Sequence, residues 1–317
     1  MDFLTKTTAF FLVLTLVPFS AFADNKLTVL LDWFVNPDHA PLVVALQSNR
    51  FKEAGLNVEL IAPSDPNLPP KLVAAGKGDI AVSYQPQLHI QADQGLPLVR
   101  IGTLISTPLN SLVVLRDGKI KSIADLKGKK IGFSVGGFED ALLKTMLNSH
   151  NVKLSEVQLI NVNFALSPSL ISEKVDAVIG AFRNFELNQM DIVKRPGHAF
   201  YPEEHGVPPY DELILVSHKN SLSDPKLRKF LNVLEAATLF LINHPKKSWD
   251  LFTSFDNKLD DELNRRAWRD TLARFALRPA ALDTARYKRF ASFLRKQNLI
   301  RKTPAIDDYA VQVMGLH

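Results

Sequence analysis

The chain has 317 residues, of which 46% are apolar, so it can form two compact domains with buried cores. The formal net charge is +5, but the basic residues are spread over predicted helices, whereas a nucleic-acid-binding surface concentrates them beside aromatic residues. We therefore expect no nucleic-acid partner. No cysteine occurs, which excludes disulfides, thiolate metal sites and a cysteine nucleophile.

The first 23 residues have the pattern of a cleavable export signal. Lys6 supplies positive charge, residues 8–19 form an apolar run too short to span a bilayer, and residues 21–23 have the A-x-A form of a cleavage site. We expect the mature chain to begin at Asp24 and to be a soluble monomer that is exported to the periplasm.

From Leu27 onward, short apolar runs alternate with helical segments, which is typical of parallel βαβ units. In chain order the sequence predicts strand 27–31, helix 40–50, strand 58–61, helix 70–75, strand 79–83, helix 87–94 and strands 99–104 and 111–115. A second series then begins with a capping box at Ser122, strand 129–134 and helix 139–149. The predicted fold class is α/β.

An internal repeat indicates two similar lobes. Residues 57–61, a proline-containing loop, a helix and residues 78–82 are echoed by residues 156–160, a second proline-containing loop, a helix and residues 175–179. The copies lie about one small domain apart, on the order of 100 residues. Each copy should form a sheet with a crevice at the carboxyl ends of its strands.

The last part of the chain should return to the first lobe. Residues 194–210 are rich in Pro, Gly and His and are predicted to be a surface connection, followed by a strand at 212–217. Helical periodicity then covers residues 225–241, 259–275 and 279–296.

These elements predict a division of the mature chain into two lobes. The first lobe comprises residues 24–115 and 209–317, and the second comprises residues 116–208. The two crossings, near Leu115 and Glu212, should form a hinge.

The stretch directly after the first strand combines an acid, an indole, an amide and an imidazole. Asp32, Trp33, Asn36 and His39 occupy a strand-to-helix turn, where side chains held by rigid elements converge on a small ligand, such as a flat nitrogen-rich heterocycle. The alternative is structural: Trp33 would fill the core, Asn36 would form a turn and Asp38 would cap the following helix.

Two further turns supply candidate ligand-binding residues, because ligands of open α/β sheets bind outside the carboxyl ends of the strands. Ser83, Tyr84 and Gln85 follow the third strand and should face the same crevice; for Tyr84 the alternative is packing over the sheet edge. In the second lobe, a glycine turn before the helix at 139–149 brings backbone amides close to a ligand acceptor. Its candidate residues are Gly136, Gly137 and Phe138.

Enzyme motifs are weak in this chain. Residues 132–136 match the G-x-S-x-G of a nucleophile elbow around Ser134, but the sequence singles out no acid and histidine to accompany it. Residues 203–205 lack the second histidine of H-E-x-x-H, and no G-x-x-x-x-G-K-[ST] phosphate loop occurs. We expect no catalytic residue, no cofactor and no metal site.

Four motifs together resemble the thiamine-pyrimidine-precursor family, which holds periplasmic solute-binding proteins of importers and fungal pyrimidine synthases. They are L-D-W-F-x-N-P-x-H-x-P at 31–41, G-K-G-D at 76–79, L-K-G-K-K-I-G at 126–132 and D-A-V-I-G at 176–180. The likeness runs in order from Leu27 to Phe255. The opening motif is the specific one, since the lysine-glycine motifs are shared with many solute-binding proteins.

The two branches of this family differ at positions that can be read here. By this resemblance, the synthase branch carries a cofactor-bearing lysine, a histidine and a cysteine-rich iron site, where this chain has Ser83, Gln87 and no cysteine. The resemblance therefore implies a non-enzymatic, two-lobed periplasmic-binding-protein fold of type II with its ligand cleft between the lobes. It implies a thiamine-related aminopyrimidine as the ligand and the membrane permease subunits of an ABC importer as partners.

The resemblance also carries over two ligand residues from the second lobe, Asn184 and Glu186. Asp32 and Glu186 would accept hydrogen bonds from an exocyclic amine or a protonated ring nitrogen. Trp33 and Tyr84 would stack on the ring. Two other functions stay open: a binding protein for another solute, such as a sulfonate or nitrate, and a periplasmic enzyme on the same scaffold.

Overall fold

The computed structural model describes residues 25–313, so the predicted export signal lies outside the described residues. Within this range, none of the helices combines the length and the apolarity needed to cross a bilayer. The described residues form ten strands: β1 (Lys26–Leu30), β2 (Asn57–Ile61), β3 (Ile80–Ser83), β4 (Leu98–Ile105), β5 (Asn110–Leu115), β6 (Lys130–Phe133), β7 (Gln158–Asn161), β8 (Ala177–Phe182), β9 (Gly197–Phe200) and β10 (Leu213–His218).

The strands form two five-stranded sheets of the same topology, in the orders β2-β1-β3-β10-β4 and β7-β6-β8-β5-β9. In each sheet the first three strands are parallel, and the fourth is antiparallel to both its neighbours. The repeat in the sequence therefore corresponds to a repeat in the fold, and the predicted α/β class with two lobes is confirmed. The return of β10 to the first sheet agrees with the predicted strand at 212–217.

Helices cover the faces of both sheets. They are α1 (Ala40–Gln47), α2 (Arg50–Glu53), α3 (Pro69–Ala74), α4 (Gln85–Asp93), α5 (Glu139–Asn148), α6 (Leu166–Ile171), α7 (Glu186–Ile192), α8 (Pro225–Asn243), α9 (Pro245–Thr253), α10 (Glu262–Thr271) and α11 (Thr284–Lys296). Phe230 of α8 and Phe290 of α11 share a core with Val29 and Leu215 of the first sheet. Burying each such aromatic ring contributes roughly 2 kcal/mol, so the late helices stabilise the first lobe.

Two aspartates show how the repeat was predictable at the level of single residues. Asp79 directly precedes β3, and its Oδ2 accepts the N–H of Thr28 in β1 at 2.7 Å. Asp176 directly precedes β8, and its Oδ2 accepts the N–H of Lys130 in β6 at 2.8 Å. In each lobe, an equivalent carboxylate therefore hydrogen bonds to the equivalent neighbouring strand. This explains why both copies of the repeat carry an aspartate at this position.

The strand pairing moves one predicted boundary. The sequence predicts β5 as the last strand of the first lobe, but β5 pairs with β8 and β9 in the second sheet, so the first crossing lies between Ile105 and Asn110 rather than near Leu115. The sequence also predicts a connection where β9 lies. Pro196 and Pro202 flank this four-residue strand, and its pairing with β5 is a long-range contact that local composition does not record.

Candidate ligand-binding cleft

A cleft of about 430 Å³, including the part open to solvent, lies between the two lobes. The turn after β1 lines one wall, and the ends of β8 and the starts of α5 and α7 line the other. The lining residues are Asp32, Trp33, Asn36, Asp38, His39, Tyr84, Glu139, Leu166, Gly180, Phe182, Phe185, Glu186 and Leu213.

Asn36 shapes the turn that carries the residues of the first wall. Its Oδ1 accepts the N–H of Asp38 at 2.8 Å, and its own N–H donates to Nδ1 of His39 at 3.3 Å. These bonds make a capping box around the 3₁₀ helix Pro37–His39, in which the proline occupies the first position without losing a hydrogen bond. The structural role weighed for Asn36 is therefore real, although the residue also lines the cleft.

Asp32 is the centre of a buried hydrogen-bond network. Its Oδ1 lies 2.9 Å from Nε2 of His39, and its Oδ2 accepts the phenol proton of Tyr84 at 2.8 Å. Burial first, and then the nearby Asp32, raise the pKa of Tyr84 well above its usual value, so the phenol stays protonated and remains a donor. Each carboxylate oxygen keeps a second lone pair, so a ligand donor can still be accepted.

Glu186 forms part of the opposite wall. It begins α7, and its Oε2 accepts the N–H of Phe182 at 2.6 Å. Burial raises the pKa of Glu186 to about 8, against the lowering effect of hydrogen bonds from backbone amides, and the nearby Asp38 raises it further. At neutral pH the carboxyl of the ligand-free protein is therefore mostly protonated.

Glu139 reaches the cleft because residue 180 is a glycine. Its Oε2 accepts the N–H of Ser134 at 2.8 Å, and a Cβ added at Gly180 would lie only 2.4 Å from Oε1 of Glu139. Gly180 also has φ +97°, which other residues rarely adopt. Burial raises the pKa of Glu139 well above its usual value.

Asp38 connects the two lobes and does not cap α1. The N-cap of α1 is His39, which makes no side-chain capping bond. Oδ1 of Asp38 instead accepts a hydrogen bond from Nδ2 of Asn184 at 2.6 Å, and the hydroxyl of Thr271 lies 3.1 Å from the same oxygen. Burial raises the pKa of Asp38 to about 6, although His39, Asn184 and Thr271 lower it.

Aromatic rings from both lobes surround the cleft. The Trp33 ring meets Phe164 edge to face at a centroid distance of 4.6 Å, and Phe34 is 46% exposed beside it. One face of Tyr84 is covered by Phe138, which stacks on it at 4.6 Å. Phe182 meets the Tyr84 ring in a T-shaped arrangement at a centroid distance of 6.5 Å, and Tyr84 is 4% exposed.

The structure brings part of the predicted site together. Of the predicted residues, Asp32, Trp33, Asn36, His39, Tyr84 and Glu186 line the cleft. The others lie outside the lining that the described residues form: Ser83, Gln85, Gly136, Gly137, Phe138 and Asn184.

Ser83 and Gln85 differ from the prediction because their side chains have other partners. The Ser83 hydroxyl donates to Gln87 at 2.9 Å. Oε1 of Gln85 accepts the N–H of Asp211 at 2.8 Å, and its Nε2 lies 3.2 Å from His89. The Gln85 side chain therefore faces the interior of the first lobe, beside the segment that leads into β10.

The glycine turn of the second lobe faces a neighbouring opening. Gly136, Gly137 and Phe138 line it together with Asn67, a residue of the first lobe. Oδ1 of Asn67 accepts the N–H of Gly136 at 2.9 Å, and its Nδ2 donates to the carbonyl of Ser134 at 3.0 Å. This turn therefore makes a contact between the lobes, and Phe138 affects the cleft through Tyr84.

Sequence reasoning missed several lining residues: Asp38, Glu139, Leu166, Gly180, Phe182, Phe185 and Leu213. The two acids stand in the first turn of a helix or just before one, where a capping role is the common interpretation. Only the position of these two acids in the sequence could have indicated a role in the cleft, because both follow a strand that ends there.

Ser134, the centre of the G-x-S-x-G match, is not presented as a nucleophile elbow requires. It is 1% exposed, and its hydroxyl donates to the carbonyl of Asn163. The hydroxyl therefore serves the packing of the second lobe.

The chain is similar to proteins of a known family and to solved structures. Residues 36–248 match the family described as NMT1/THI5 like. A Haemophilus influenzae protein named for thiamine biosynthesis is 55% identical over 294 residues, which cover 92% of this chain and 94% of that protein. A formylaminopyrimidine-binding protein from Halalkalibacterium halodurans is 36% identical over 200 residues, covering 62% and 60%. A 4-amino-5-hydroxymethyl-2-methylpyrimidine phosphate synthase from Saccharomyces cerevisiae is 24% identical over 277 residues, covering 80% and 78%.

Among solved structures, the alkanesulfonate-binding protein SsuA from Xanthomonas axonopodis pv. citri, bound to MOPS, has a TM-score of 0.70 at 15% identity and covers 90% of this chain and 98% of its own. SsuA from Escherichia coli has a TM-score of 0.66 at 15% identity, with coverages of 92% and 94%. Such low identity establishes the fold alone, which is that of two-lobed periplasmic binding proteins. The family match and the relative that is similar over nearly its whole length confirm the resemblance seen in the sequence, and the chain belongs to the NMT1/THI5-like family.

Proposed function

We propose that this protein binds a thiamine-related aminopyrimidine in the cleft between its lobes and delivers it to the permease subunits of an ABC importer. The observation that carries the proposal is the set of polar side chains that line the cleft. Four carboxyl side chains line it, and within the described residues no lysine or arginine does so. The four are Asp32, Asp38, Glu139 and Glu186.

Such a lining favours a ligand that brings hydrogen-bond donors. Buried carboxyl groups without cationic partners are costly unless hydrogen bonds compensate them, and an exocyclic amine or a protonated ring nitrogen supplies such bonds. Trp33, which is half-buried, adds a flat apolar surface, so a flat heterocycle with nitrogen donors fits both features.

The same lining argues against the other solutes considered. A sulfonate or nitrate is an anion and requires amide donors or cationic side chains, as phosphate and carboxylate ligands do. The lining formed by the described residues supplies no lysine or arginine for it, and those carboxyl groups that are ionised would repel it. The sulfonate-binding structural neighbours therefore share the fold with this chain without indicating its ligand.

The relatives support the aminopyrimidine. The Halalkalibacterium halodurans relative is named as a formylaminopyrimidine-binding protein, and the Haemophilus influenzae relative is named for thiamine biosynthesis. Some fungal relatives are named as synthases, but binding is the better proposal for this chain. Their lysine and histidine positions, as the resemblance places them, hold Ser83 and Gln87, which hydrogen bond to each other, and the chain has no cysteine.

The importer and the location follow from the fold class and the sequence. Periplasmic binding proteins deliver solutes by closing two lobes on them and presenting the closed form to a membrane permease. The export pattern of the first 23 residues is consistent with a periplasmic location. We propose that the protein acts there as a monomer that binds one ligand.

Thermal unfolding with a small ligand panel tests the proposal. The panel contains 4-amino-5-hydroxymethyl-2-methylpyrimidine, formylaminopyrimidine, ethanesulfonate and nitrate. An aminopyrimidine should stabilise the protein by roughly 3 kcal/mol at a hundredfold excess over its dissociation constant, and the two anions should not. A response to the anions alone would refute the proposal.

A further inference from the structure

Asp38 joins the cleft and both lobes at a single carboxyl group. It lines the cleft from the first lobe and is 1% exposed. Its Oδ1 accepts the amide of Asn184, which precedes α7 in the second lobe, at 2.6 Å. The hydroxyl of Thr271 lies 3.1 Å from the same oxygen and accepts the Asn184 amide at 2.6 Å. Oδ1 is therefore fully engaged in holding the lobes together.

The second oxygen of this carboxyl has no such role. Oδ2 is buried and has no hydrogen-bond partner among residues 25–313. Buried carboxyl oxygens almost always have a donor, because leaving one unpaired costs the full desolvation penalty of the group. Since Asn184 and Thr271 lie outside the cleft lining and hold Oδ1, Oδ2 is the oxygen that remains for a donor in the cleft.

We infer that Asp38 recognises an N–H donor of the ligand through Oδ2 while Oδ1 holds the second lobe through Asn184. This inference rests on the proposed function and assigns a specificity role to a residue outside the motif positions that define the resemblance. It restricts the ligand to heterocycles that carry an amine or a protonated ring nitrogen. It also makes the same carboxyl couple ligand binding to the closure of the two lobes.

The two hydrogen bonds reinforce each other. Each is a bond to the same anion, and each favours its ionised form, so a ligand donor at Oδ2 strengthens the Asn184 bond at Oδ1. By thermodynamic linkage, lobe closure must then strengthen ligand binding by the same factor. A purely structural Asp38 would stabilise the closed lobes equally for all ligands.

Isothermal titration calorimetry with two ligands separates these cases. The ligands are 4-amino-5-hydroxymethyl-2-methylpyrimidine and its analogue with hydrogen in place of the 4-amino group. Asp38→Asn should lower affinity for the amino ligand roughly tenfold to a hundredfold, because an anionic acceptor becomes a neutral amide. Affinity for the analogue should change little, so the wild-type preference for the amine should largely disappear. Asn184 can still pair with the new amide by presenting its own oxygen.

Asn184→Ala tests the link to closure in a variant that keeps Asp38. Small-angle X-ray scattering should show less ligand-induced compaction than in the wild type, and affinity for the amino ligand should fall while some preference for the amine remains. The matched control is Asp93→Asn, another buried aspartate of the first lobe, whose partners Arg301 and Lys302 lie outside the cleft lining. It should leave both affinities unchanged.

Clear outcomes would overturn the inference. A folded Asp38→Asn protein that keeps the full preference for the amino ligand would show that another group accepts the hydrogen bond from the amine. If Asp38→Asn does not fold, Asn184→Ala decides, and unchanged compaction with unchanged affinity would refute the coupling. A wild-type protein that binds neither pyrimidine would refute the proposed function itself, together with this inference.

Discussion

Nε2 of His39 lies 2.9 Å from Oδ1 of Asp32, and the other ring nitrogen, Nδ1, accepts the N–H of Asn36 at 3.3 Å. Because Nδ1 is an acceptor, the ring proton is on Nε2 and is donated to the carboxylate. The imidazole is fully buried and Asp32 is 3% exposed. The capping box of the turn thus selects the tautomer that compensates the buried acid at the wall of the cleft.

His39→Phe should therefore destabilise the protein beyond any change in packing. The ring keeps most of its bulk, but Asp32 loses a hydrogen-bond donor, and the loss of a hydrogen bond to a buried charged group costs roughly 1.5 to 3 kcal/mol. Urea unfolding measures the loss. His198→Phe is the control, because that ring is exposed on β9. Equal stabilities of the His39 variant and the wild type would contradict this role.

Trp33→Ala should weaken binding more than it weakens the fold. The indole is half-buried and lines the cleft, so its loss should lower affinity for an aminopyrimidine roughly tenfold to a hundredfold, by analogy with base stacking on aromatic platforms. Trp249→Ala provides the control, since this half-buried indole packs on Trp268 outside the cleft. It should lower stability and leave affinity unchanged. A Trp33 variant that is badly destabilised yet binds normally when folded would show that Trp33 is a core residue.

Much of the fold was predictable because local sequence patterns indicate it. Apolar runs marked the parallel strands, and the aspartates before β3 and β8 marked the repeat. The error at β5 has a different origin. The local sequence of β5 does not show which of the two sheets the strand joins. Its partners in the sheet, β8 and β9, lie far along the chain.

The site was predictable where a motif held several residues in one turn. Asp32, Trp33, Asn36 and His39 could be predicted to lie together because they fall within one stretch of eight residues, from 32 to 39, and all of them line the cleft. Gln85 was placed wrongly because strand ends specify a position but not a side-chain direction. Its direction is set by the N–H of Asp211, a partner 126 residues away that no local pattern reveals.

Gly180→Ala should destabilise the protein and displace Glu139 from the cleft. The new Cβ would lie 2.4 Å from Oε1 of Glu139, and φ at this position is +97°. Gly137→Ala is a matched control, because φ there is +92° and a Cβ would meet nothing within 4 Å. Backbone strain costs roughly 1 to 3 kcal/mol in both variants, so the extra loss at residue 180 measures the clash. Equal unfolding free energies would mean that the Glu139 carboxyl moves aside freely.

The pKa of Glu186 predicts how the stability of the ligand-free protein depends on pH. Burial raises this pKa from 4.5 to about 8. Between these values the folded protein keeps a proton that the unfolded chain has released, so the free energy of unfolding must fall as pH rises through this window. The slope is at most roughly 1.4 kcal/mol per pH unit for one proton. Asp38, whose pKa is raised to about 6, contributes in the same direction below that pH.

Glu186→Gln isolates the contribution of Glu186 to the pH dependence of stability. The amide cannot titrate, and the variant keeps Asp38. Relative to the variant, the wild type should lose stability as pH rises from about 4.5 to about 8, and the two curves should run parallel outside that window. Urea unfolding at a series of pH values measures the difference. Ligand donors favour the ionised carboxylate, so an aminopyrimidine that binds near pH 7 should release more protons from the wild type than from Glu186→Gln. Calorimetry in two buffers of different ionisation enthalpy counts those protons, and equal counts would show that the ligand leaves Glu186 protonated.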